Sequence, residues 1–195
     1  MMKIPLRERR RQETALEIQR ATLMLAREHG FDHVTTEAIA ERAGISPRTF
    51  FNYYTNKEDA VVGHPPGFPE EARAAFAEGR GPLQEAVHAL LRAHLDQLEV
   101  QQDVILGIGD LWRENGRVRW LLDTRMEAMS SELAVSIGRR LPELGPGVHE
   151  GLAEWIIRTA GLSIKLWAKG GADSLTEALE IVWSERLEVA RLLVS

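Results

Sequence analysis

The sequence predicts an all-α protein in which a small N-terminal helical domain precedes a larger helical one. Apolar residues recur at three- and four-residue intervals along most of the chain, which is the period of an amphipathic helix. No segment shows the alternation of apolar and polar residues that is typical of a half-buried strand. The clearest interruption is His-Pro-Pro-Gly at residues 64–67. We therefore divide the chain into a head, residues 1–63, and a second domain, residues 64–195.

The composition fits a globular protein that lies outside membranes. The chain has 195 residues, of which 44% are hydrophobic and 27% charged, enough for both a core and a polar surface. No apolar run approaches the ~18 residues of a membrane span, and the charged start lacks the apolar core of a secretory signal, so we expect a cytoplasmic protein. Cysteine is absent, which excludes disulfides and thiolate metal sites. We expect no metal and no cofactor.

Positive charge is concentrated at the N-terminus, although the net charge is −5. Residues 1–60 hold ten Lys/Arg and nine Asp/Glu, and the remainder holds fourteen and twenty. A local excess of this kind favours contact with nucleic acid, but a solvated charged terminus would have the same composition. Within residues 1–11, Glu8 is the single acid against five bases, which are Lys3, Arg7, Arg9, Arg10 and Arg11.

Four helices are predicted in the head. Gly30 is placed to end the first, and Thr35 is a suitable N-cap for the second. A short turn containing Gly44 precedes Ser46, an N-cap for the third helix, with Pro47 in its first turn. These helices cover residues 7–29, 36–43, 47–54 and 56–63.

The second and third helices, joined by residues 44–46, have the arrangement of a helix-turn-helix. In that motif the second helix enters the major groove, whose width of about 12 Å admits one helix. Phe50 and Tyr54 lie four residues apart and share one side of the third helix with Ile45, so we assign them to the core. Other side chains project outward, and an exposed Phe beside an exposed Tyr is unusual unless a partner covers them. The predicted DNA contacts are Thr35, Thr36, Arg48, Thr49, Phe51, Asn52, Tyr53 and Lys57.

Seven of the eight predicted contacts have a specific chemical rationale. Arg48 can form a bidentate contact with guanine, worth about 1–3 kcal/mol of discrimination, and Phe51 can pack on a thymine methyl group. Asn52 suits adenine or a phosphate. Tyr53 and Lys57 suit phosphate oxygens. The two threonines at the start of the second helix lie at a helix N-terminus, which favours phosphate as well.

The second domain is predicted to contain six further helices. The last two are apolar on more than one face, so each must pack against more than one neighbouring element. A partner subunit and the domain core would together bury these faces, which favours a homodimer through residues 148–194. Burial inside a larger monomer is the alternative. The predicted helices cover residues 69–78, 82–100, 102–114, 117–140, 148–169 and 173–194.

The segments GFDHVTTEAIAERA and GISPRTFFNYYTNKEDAV resemble the DNA-binding head of the TetR family of bacterial regulators. The similarity runs from about Ile18 to Val62 and includes the patterns TxxxIAxxAG and TFFxYYxxKE. Asn52 departs from it, since many members have an aromatic or basic residue there. The resemblance implies a homodimer whose last two helices form a four-helix bundle. It also implies a C-terminal domain that binds a small molecule, whose arrival lowers the affinity for DNA.

The resemblance places a ligand pocket near the middle helices, where Trp112 and Trp120 flank a helix junction. A tryptophan at helical spacing is more often a core residue than a ligand contact. The same holds for His88 and His94, which lie on or near the apolar side of the second domain's first long helix. The stretch TFFNYYTNKEDAVVG resembles a TetR subgroup with an acyl-CoA-like ligand preference, so we expect a small apolar or amphipathic effector of that kind. The candidate ligand-binding residues are His94, Ile108, Trp112, Trp120, Met126 and Trp155.

The predicted function is therefore a repressor that binds double-stranded DNA at a palindromic operator and is released by a small molecule. One alternative is a DNA-binding regulator that a protein partner controls without a small-molecule ligand. Another is a helical enzyme or carrier with an incidental helix-turn-helix. The sequence contains no nucleophile elbow, phosphate-binding loop or dinucleotide fingerprint, so we expect no enzymatic activity.

Overall fold

The computed structural model describes residues 6–194, except for the side chain of Val100, and no β-strand occurs in that part of the chain. The predicted all-α class is confirmed. Short 3-10 turns lie at Phe31–His33 and Glu99–Gln101. The helices are α1 (Leu6–His29), α2 (Thr36–Arg42), α3 (Pro47–Phe51), α4 (Lys57–Val62), α5 (Glu70–Glu78), α6 (Leu83–Leu98), α7 (Gln102–Glu114), α8 (Gly116–Arg140), α9 (Pro146–Ala168) and α10 (Leu175–Val194).

Every predicted helix has a counterpart, with ends that differ by up to three residues. The largest difference is at α3, which ends at Phe51 instead of residue 54. The backbone N–H groups of Tyr53 and Tyr54 both bond to the carbonyl of Phe50, at 2.9 and 3.0 Å. This bonding tightens the chain into a turn after α3, as is common where a helix ends.

The helices cluster into two compact units. The first holds the described residues up to Pro65 together with Gln102–Thr124, and the second holds Pro66–Gln101 and the described residues from Arg125 onward. The division into residues 1–63 and 64–195 stays a prediction. By packing, α7 and the beginning of α8 lie with the first four helices.

The core of the first unit is built around α1, which packs against α2, α4 and α7. Ile18 of α1 and Ile39 of α2 are fully buried in it, and Val104 of α7 is almost fully buried. One polar side chain also enters this core: Gln19 donates from Nε2 to the carbonyl of Val61 at 2.9 Å. Such a bond satisfies a buried amide that would otherwise cost free energy.

The second unit is organised by the antiparallel neighbours α9 and α10, with α6 packed against both and α5 packed on α6. Its fully buried residues include Leu91 of α6, Ile156 of α9 and Leu179 of α10. Arg140, at the end of α8, donates to the carbonyls of Phe76 and Gly81 at 2.6 and 2.7 Å. None of the helices within residues 6–194 combines the length and apolarity that crossing a membrane requires.

Gly63 is the position in the first unit where a side chain would be least tolerated. It ends α4 with φ +61°, and a Cβ added there would overlap the Gln19 amide. We expect Gly63→Ala to lower the free energy of unfolding by about 1–3 kcal/mol, because L-residues are strained in this region and the buried Gln19 bond must shift.

Thermal denaturation followed by circular dichroism at one fixed protein concentration measures this effect. Gly109→Ala is the control, since a Cβ at that helical glycine meets nothing within 4 Å and alanine favours the helix by about 1 kcal/mol. A Gly63→Ala protein as stable as the unmodified chain would contradict this requirement for glycine at residue 63.

Candidate nucleic-acid interface

Local hydrogen bonds define the helix-turn-helix. Thr35 caps α2 by accepting from the N–H of Ala38 at 3.2 Å, and Ser46 caps α3 by accepting from the N–H of Thr49 at 3.1 Å. Gly44 lies in the turn between them with φ +67°, a conformation that glycine adopts without a steric penalty. The two caps and this glycine fix where α3 begins and how it leaves α2.

Two aromatic side chains determine which side of α3 faces solvent. Phe50 is fully buried, and Tyr54 is buried with its hydroxyl donating to the carbonyl of Ala15 in α1 at 3.0 Å. The assignment of both residues to the core is confirmed. Because neighbouring residues of a helix are about 100° apart, this burial turns Arg48, Phe51 and Asn52 toward solvent.

The exposed side of α3 carries an arginine, an amide and an aromatic ring. Arg48 and Asn52 are exposed, and 55% of Phe51 is exposed although it also meets Phe50 edge-on at 5.3 Å. Thr49 is half-buried and shares a 2.8 Å hydrogen bond with Ser46. We call the set Arg48, Phe51 and Asn52 the outer side of α3.

An open groove runs beside the outer side, between α3 and the start of α1. Tyr53, half-buried, forms part of its wall, and the Arg11 guanidinium lies 5.6 Å from the centre of the Tyr53 ring. Lys3, one of the five N-terminal bases, lies outside the described residues. The groove is lined by Arg7, Glu8, Arg10, Arg11, Thr14, Thr49, Asn52 and Tyr53.

The sequence indicated that these arginines form a basic terminus but did not indicate that they lie beside α3. Arg7, Arg10, Arg11 and Thr14 follow one another at helical spacing, so the signal was present in the sequence. Only the packing of α1 on α4 and the Tyr54–Ala15 bond brings that side of α1 to α3.

Lys57 has a structural role that its sequence position did not suggest. Its ammonium donates to the carbonyls of Phe31, Asp32 and Val34 at 2.8, 3.2 and 3.1 Å, and it lies 4.7 Å from the centre of the Phe31 ring. Three bonds use all three ammonium hydrogens. The predicted phosphate contact of Lys57 stays untested, and in this structure the side chain holds the turn before α2 against the start of α4.

The two threonines of α2 are placed at its N-terminus, as predicted. Thr35 is exposed but its hydroxyl oxygen serves as the helix cap. Thr36 is half-buried and donates to the Glu37 carboxylate at 3.2 Å.

The six candidate ligand-binding residues are divided between the two units. In the first unit Ile108 packs on the core, Trp112 donates to Asp123 at 3.4 Å, and 64% of Trp120 is exposed. In the second unit Met126 lines an open groove between α8 and α9, and Trp155 meets Trp183 at 5.5 Å. Their part in a ligand-binding site stays a prediction.

His94, the sixth candidate, is a buried residue of the second unit. Its ring stacks on Phe68 at 4.4 Å, and its Nδ1 atom is buried without a hydrogen-bond partner. Burial lowers the pKa of His94 to about 4, and a hydrogen bond with the backbone of Gly67 opposes this only in part. The imidazole is therefore neutral at physiological pH.

Together, a capped turn, a short second helix held by two buried aromatics and an exposed polar side define a helix-turn-helix of the DNA-binding class. Residues 18–61 match the model of a family described as "Bacterial regulatory proteins, tetR family". This segment is therefore a DNA-binding head of the TetR family of transcriptional regulators.

Known proteins with similar sequences or structures extend the similarity beyond this segment. The HTH-type transcriptional regulator TcmR of Streptomyces glaucescens is 31% identical over 165 residues, which cover 83% of this chain and 60% of TcmR. The present chain therefore spans less than two thirds of that relative.

Two solved structures extend the comparison to the fold. A TetR-family regulator from Syntrophomonas wolfei has a TM-score of 0.64 and 16% identity, with 91% of this chain and 95% of the other covered. Thermus thermophilus FadR, a TetR-family repressor solved with lauroyl-CoA, has a TM-score of 0.50 and 29% identity, with 89% and 93% covered.

Lys57 gives a first test of the interface. We expect Lys57→Met to lower the free energy of unfolding by about 1–3 kcal/mol, because methionine keeps the apolar stem and leaves three carbonyls without their donor. DNA affinity should fall because the turn before α2 is no longer held against the start of α4. The slope of log affinity against log salt concentration should not change. Denaturation and fluorescence anisotropy at several salt concentrations measure both quantities. A slope reduced by about 0.9 in an equally stable variant would instead identify Lys57 as a phosphate contact.

His94 predicts a pH dependence of stability. Its folded-state pKa of about 4 lies below the ordinary value of 6.5, so the unfolded chain binds the proton more readily. The stabilisation is fully present above pH 6.5 and is lost as the pH falls toward 4. Between pH 7.5 and 5.0 the unmodified protein should lose about 2 kcal/mol more than His94→Gln in urea unfolding.

The matched control is His33→Gln, which removes an exposed histidine and should keep the pH response of the unmodified protein. Equal responses of His94→Gln and the unmodified protein would contradict the burial of a neutral imidazole.

Proposed function

We propose that this TetR-family chain is a repressor that binds a palindromic operator as a homodimer and leaves it when a small apolar or amphipathic effector binds. The observation that carries the proposal is the outer side of α3, whose arginine, amide and phenyl groups face solvent while Phe50 and Tyr54 are buried behind them. A short helix presented in this way fits the major groove.

The contacts divide by chemistry. Arg48 and Asn52 carry donors that match base edges, and Phe51 offers an apolar surface for a thymine methyl group. Tyr53 and Thr49 are half-buried at the edge of the same surface, where phosphate oxygens would be in reach. Thr35 and Thr36, at the start of α2, belong to the same proposal as backbone contacts.

The basic side of α1 extends this surface. Arg7, Arg10 and Arg11 line the groove beside Asn52 and Tyr53, and Glu8 is the single acid among the groove-lining residues. Arginines at this position would contact phosphates flanking the bases that α3 meets. Such contacts add affinity that depends on salt and not on sequence.

The homodimer is supported by apolar side chains that the chain leaves uncovered. Ile181, Val189 and Leu193 of α10 are 37, 56 and 80% exposed. An apolar patch of this kind on a soluble protein marks an interaction site. A two-fold pair of heads would also match the two half-sites of a palindrome, about 34–36 Å apart.

An effector is supported by the FadR similarity, because that protein was solved with lauroyl-CoA. A route by which an effector could act on the head lies within the first unit. Asp103 of α7 accepts two hydrogen bonds from Arg20 of α1, at 2.8 and 3.3 Å, and Gly107 of α7 lies against Leu23 of α1. A displaced α7 would move α1 and the groove that it lines. The candidate ligand residues of the second unit remain part of this proposal.

The DNA-binding surface is tested with an operator selected from a random duplex library. We expect Arg48→Ala to lower affinity for that operator about tenfold or more while leaving affinity for a scrambled duplex unchanged, because it removes a base contact. Arg10→Ala should weaken binding to both duplexes and reduce the salt slope by about 0.9.

Arg27→Ala is the matched control, since Arg27 is exposed on α1 about 24 Å along the helix axis from Arg11. Its affinity and salt slope should equal those of the unmodified protein. If neither Arg48→Ala nor Tyr53→Phe changed operator affinity, the proposed DNA-facing surface would be wrong. If purified protein bound no duplex at low ionic strength, the function itself would be wrong.

A further inference from the structure

The groove between α3 and the start of α1 holds an arginine against an aromatic ring. The guanidinium of Arg11 lies 5.6 Å from the centre of the Tyr53 ring, within the distance of about 6 Å at which a cation is attracted to a ring face. Tyr53 is half-buried, whereas Arg11 is exposed. The ring therefore contacts the guanidinium on one side and leaves the rest of it accessible to another molecule.

The backbone and the neighbouring tyrosine fix the ring at this place. The N–H of Tyr53 donates to the carbonyl of Phe50 at 2.9 Å, and the hydroxyl of Tyr54 donates to the carbonyl of Ala15 in α1 at 3.0 Å. Ala15 follows Arg11 by four residues, so both lie on the same side of α1. The bond that ties the end of α3 to α1 thus also brings the Tyr53 ring to Arg11.

An acidic residue of α1 competes with the ring for Arg11. Glu8 lies three residues earlier, at a spacing that allows ion pairs on a helix, and it lines the same groove. Nevertheless, none of the ion pairs within residues 6–194 involves Arg11 or Glu8, whereas Arg9 pairs with Glu13 at 2.9 Å. The Arg11 charge is therefore held by the ring and is not neutralised by its own helix.

We propose that Tyr53 is a positioning residue whose ring holds Arg11 in place for a DNA phosphate beside the bases that α3 meets. This inference rests on the proposed DNA-binding function and gives the ring a role separate from the phosphate contact of the Tyr53 hydroxyl. An arginine that is already stacked loses less side-chain freedom when it binds a phosphate. Without the ring, the guanidinium becomes free to pair with Glu8, and the phosphate loses its partner.

The test compares a variant that keeps the ring with one that lacks it, using the full chain and the selected operator. Tyr53→Phe removes only the hydroxyl, and Tyr53→Leu removes the ring as well. We expect Tyr53→Phe to keep the salt slope of the unmodified protein, because a neutral hydroxyl releases no counterion. Tyr53→Leu should bind at least threefold more weakly than Tyr53→Phe, with a slope smaller by about 0.9, the contribution of one phosphate contact.

A double-mutant cycle shows whether the ring acts through Arg11. In proteins that also carry Arg11→Ala, the phenylalanine and leucine variants at residue 53 should have the same affinity and the same slope. Arg10→Ala is the matched control, because Arg10 lines the same groove and the difference between the two variants should persist in its absence. A difference that persists without Arg11, or two variants that bind alike when Arg11 is present, would overturn the proposal.

A second measurement does not depend on the folding of the leucine variant. In NMR spectra of the unmodified and Tyr53→Phe proteins, the side-chain protons of Arg11 should be shifted upfield, because protons above an aromatic face are shielded. Ordinary shifts for these protons in a protein that binds the operator would overturn the role of the ring and leave the DNA-binding function standing. An unmodified protein that binds no duplex at low ionic strength would overturn both.

Discussion

The burial of Phe50 and Tyr54 is the constraint on which the candidate interface depends. α3 has a single well-defined turn, so its own backbone cannot determine which side faces outward. Two aromatic rings in the core, one of them held to Ala15 by its hydroxyl, make that choice. Arg48, Phe51 and Asn52 are exposed as a consequence, because they lie on the side of the helix opposite the two buried rings.

Helix α1 connects the features of the first unit that matter for function. Its basic N-terminal turns line the groove beside α3, its middle buries Ile18 and Gln19, and Arg20 pairs with Asp103 of α7. A helix moves largely as one body, so a shift of α7 would reach the groove through α1. In the coupling that we propose between effector and DNA, the effector therefore only has to change how α7 contacts α1. A tenfold loss of DNA affinity corresponds to about 1.4 kcal/mol.

Some roles of individual residues could not be derived from sequence spacing. Lys57 follows α3 closely enough to suggest a phosphate contact, yet its ammonium bonds to three carbonyls of the turn at Phe31–Val34, more than twenty residues earlier. The position of His94 on the apolar side of α6 is consistent with burial. Its Nδ1 atom, however, is buried without a hydrogen-bond partner. Both facts depend on contacts between distant segments, which periodicity does not contain.

The sequence by itself determined the all-α class, the ten helices of residues 6–194 to within a few residues, the turn at Gly44 and the burial of Phe50 and Tyr54. Caps, glycines and apolar spacing are local properties, so they can be recognised without the tertiary structure. Only the tertiary structure decided that Arg7, Arg10 and Arg11 lie beside α3 and that α7 packs with the head. Those arrangements follow from which faces pack together, and that choice is made by the summed burial of many side chains from segments far apart in the chain.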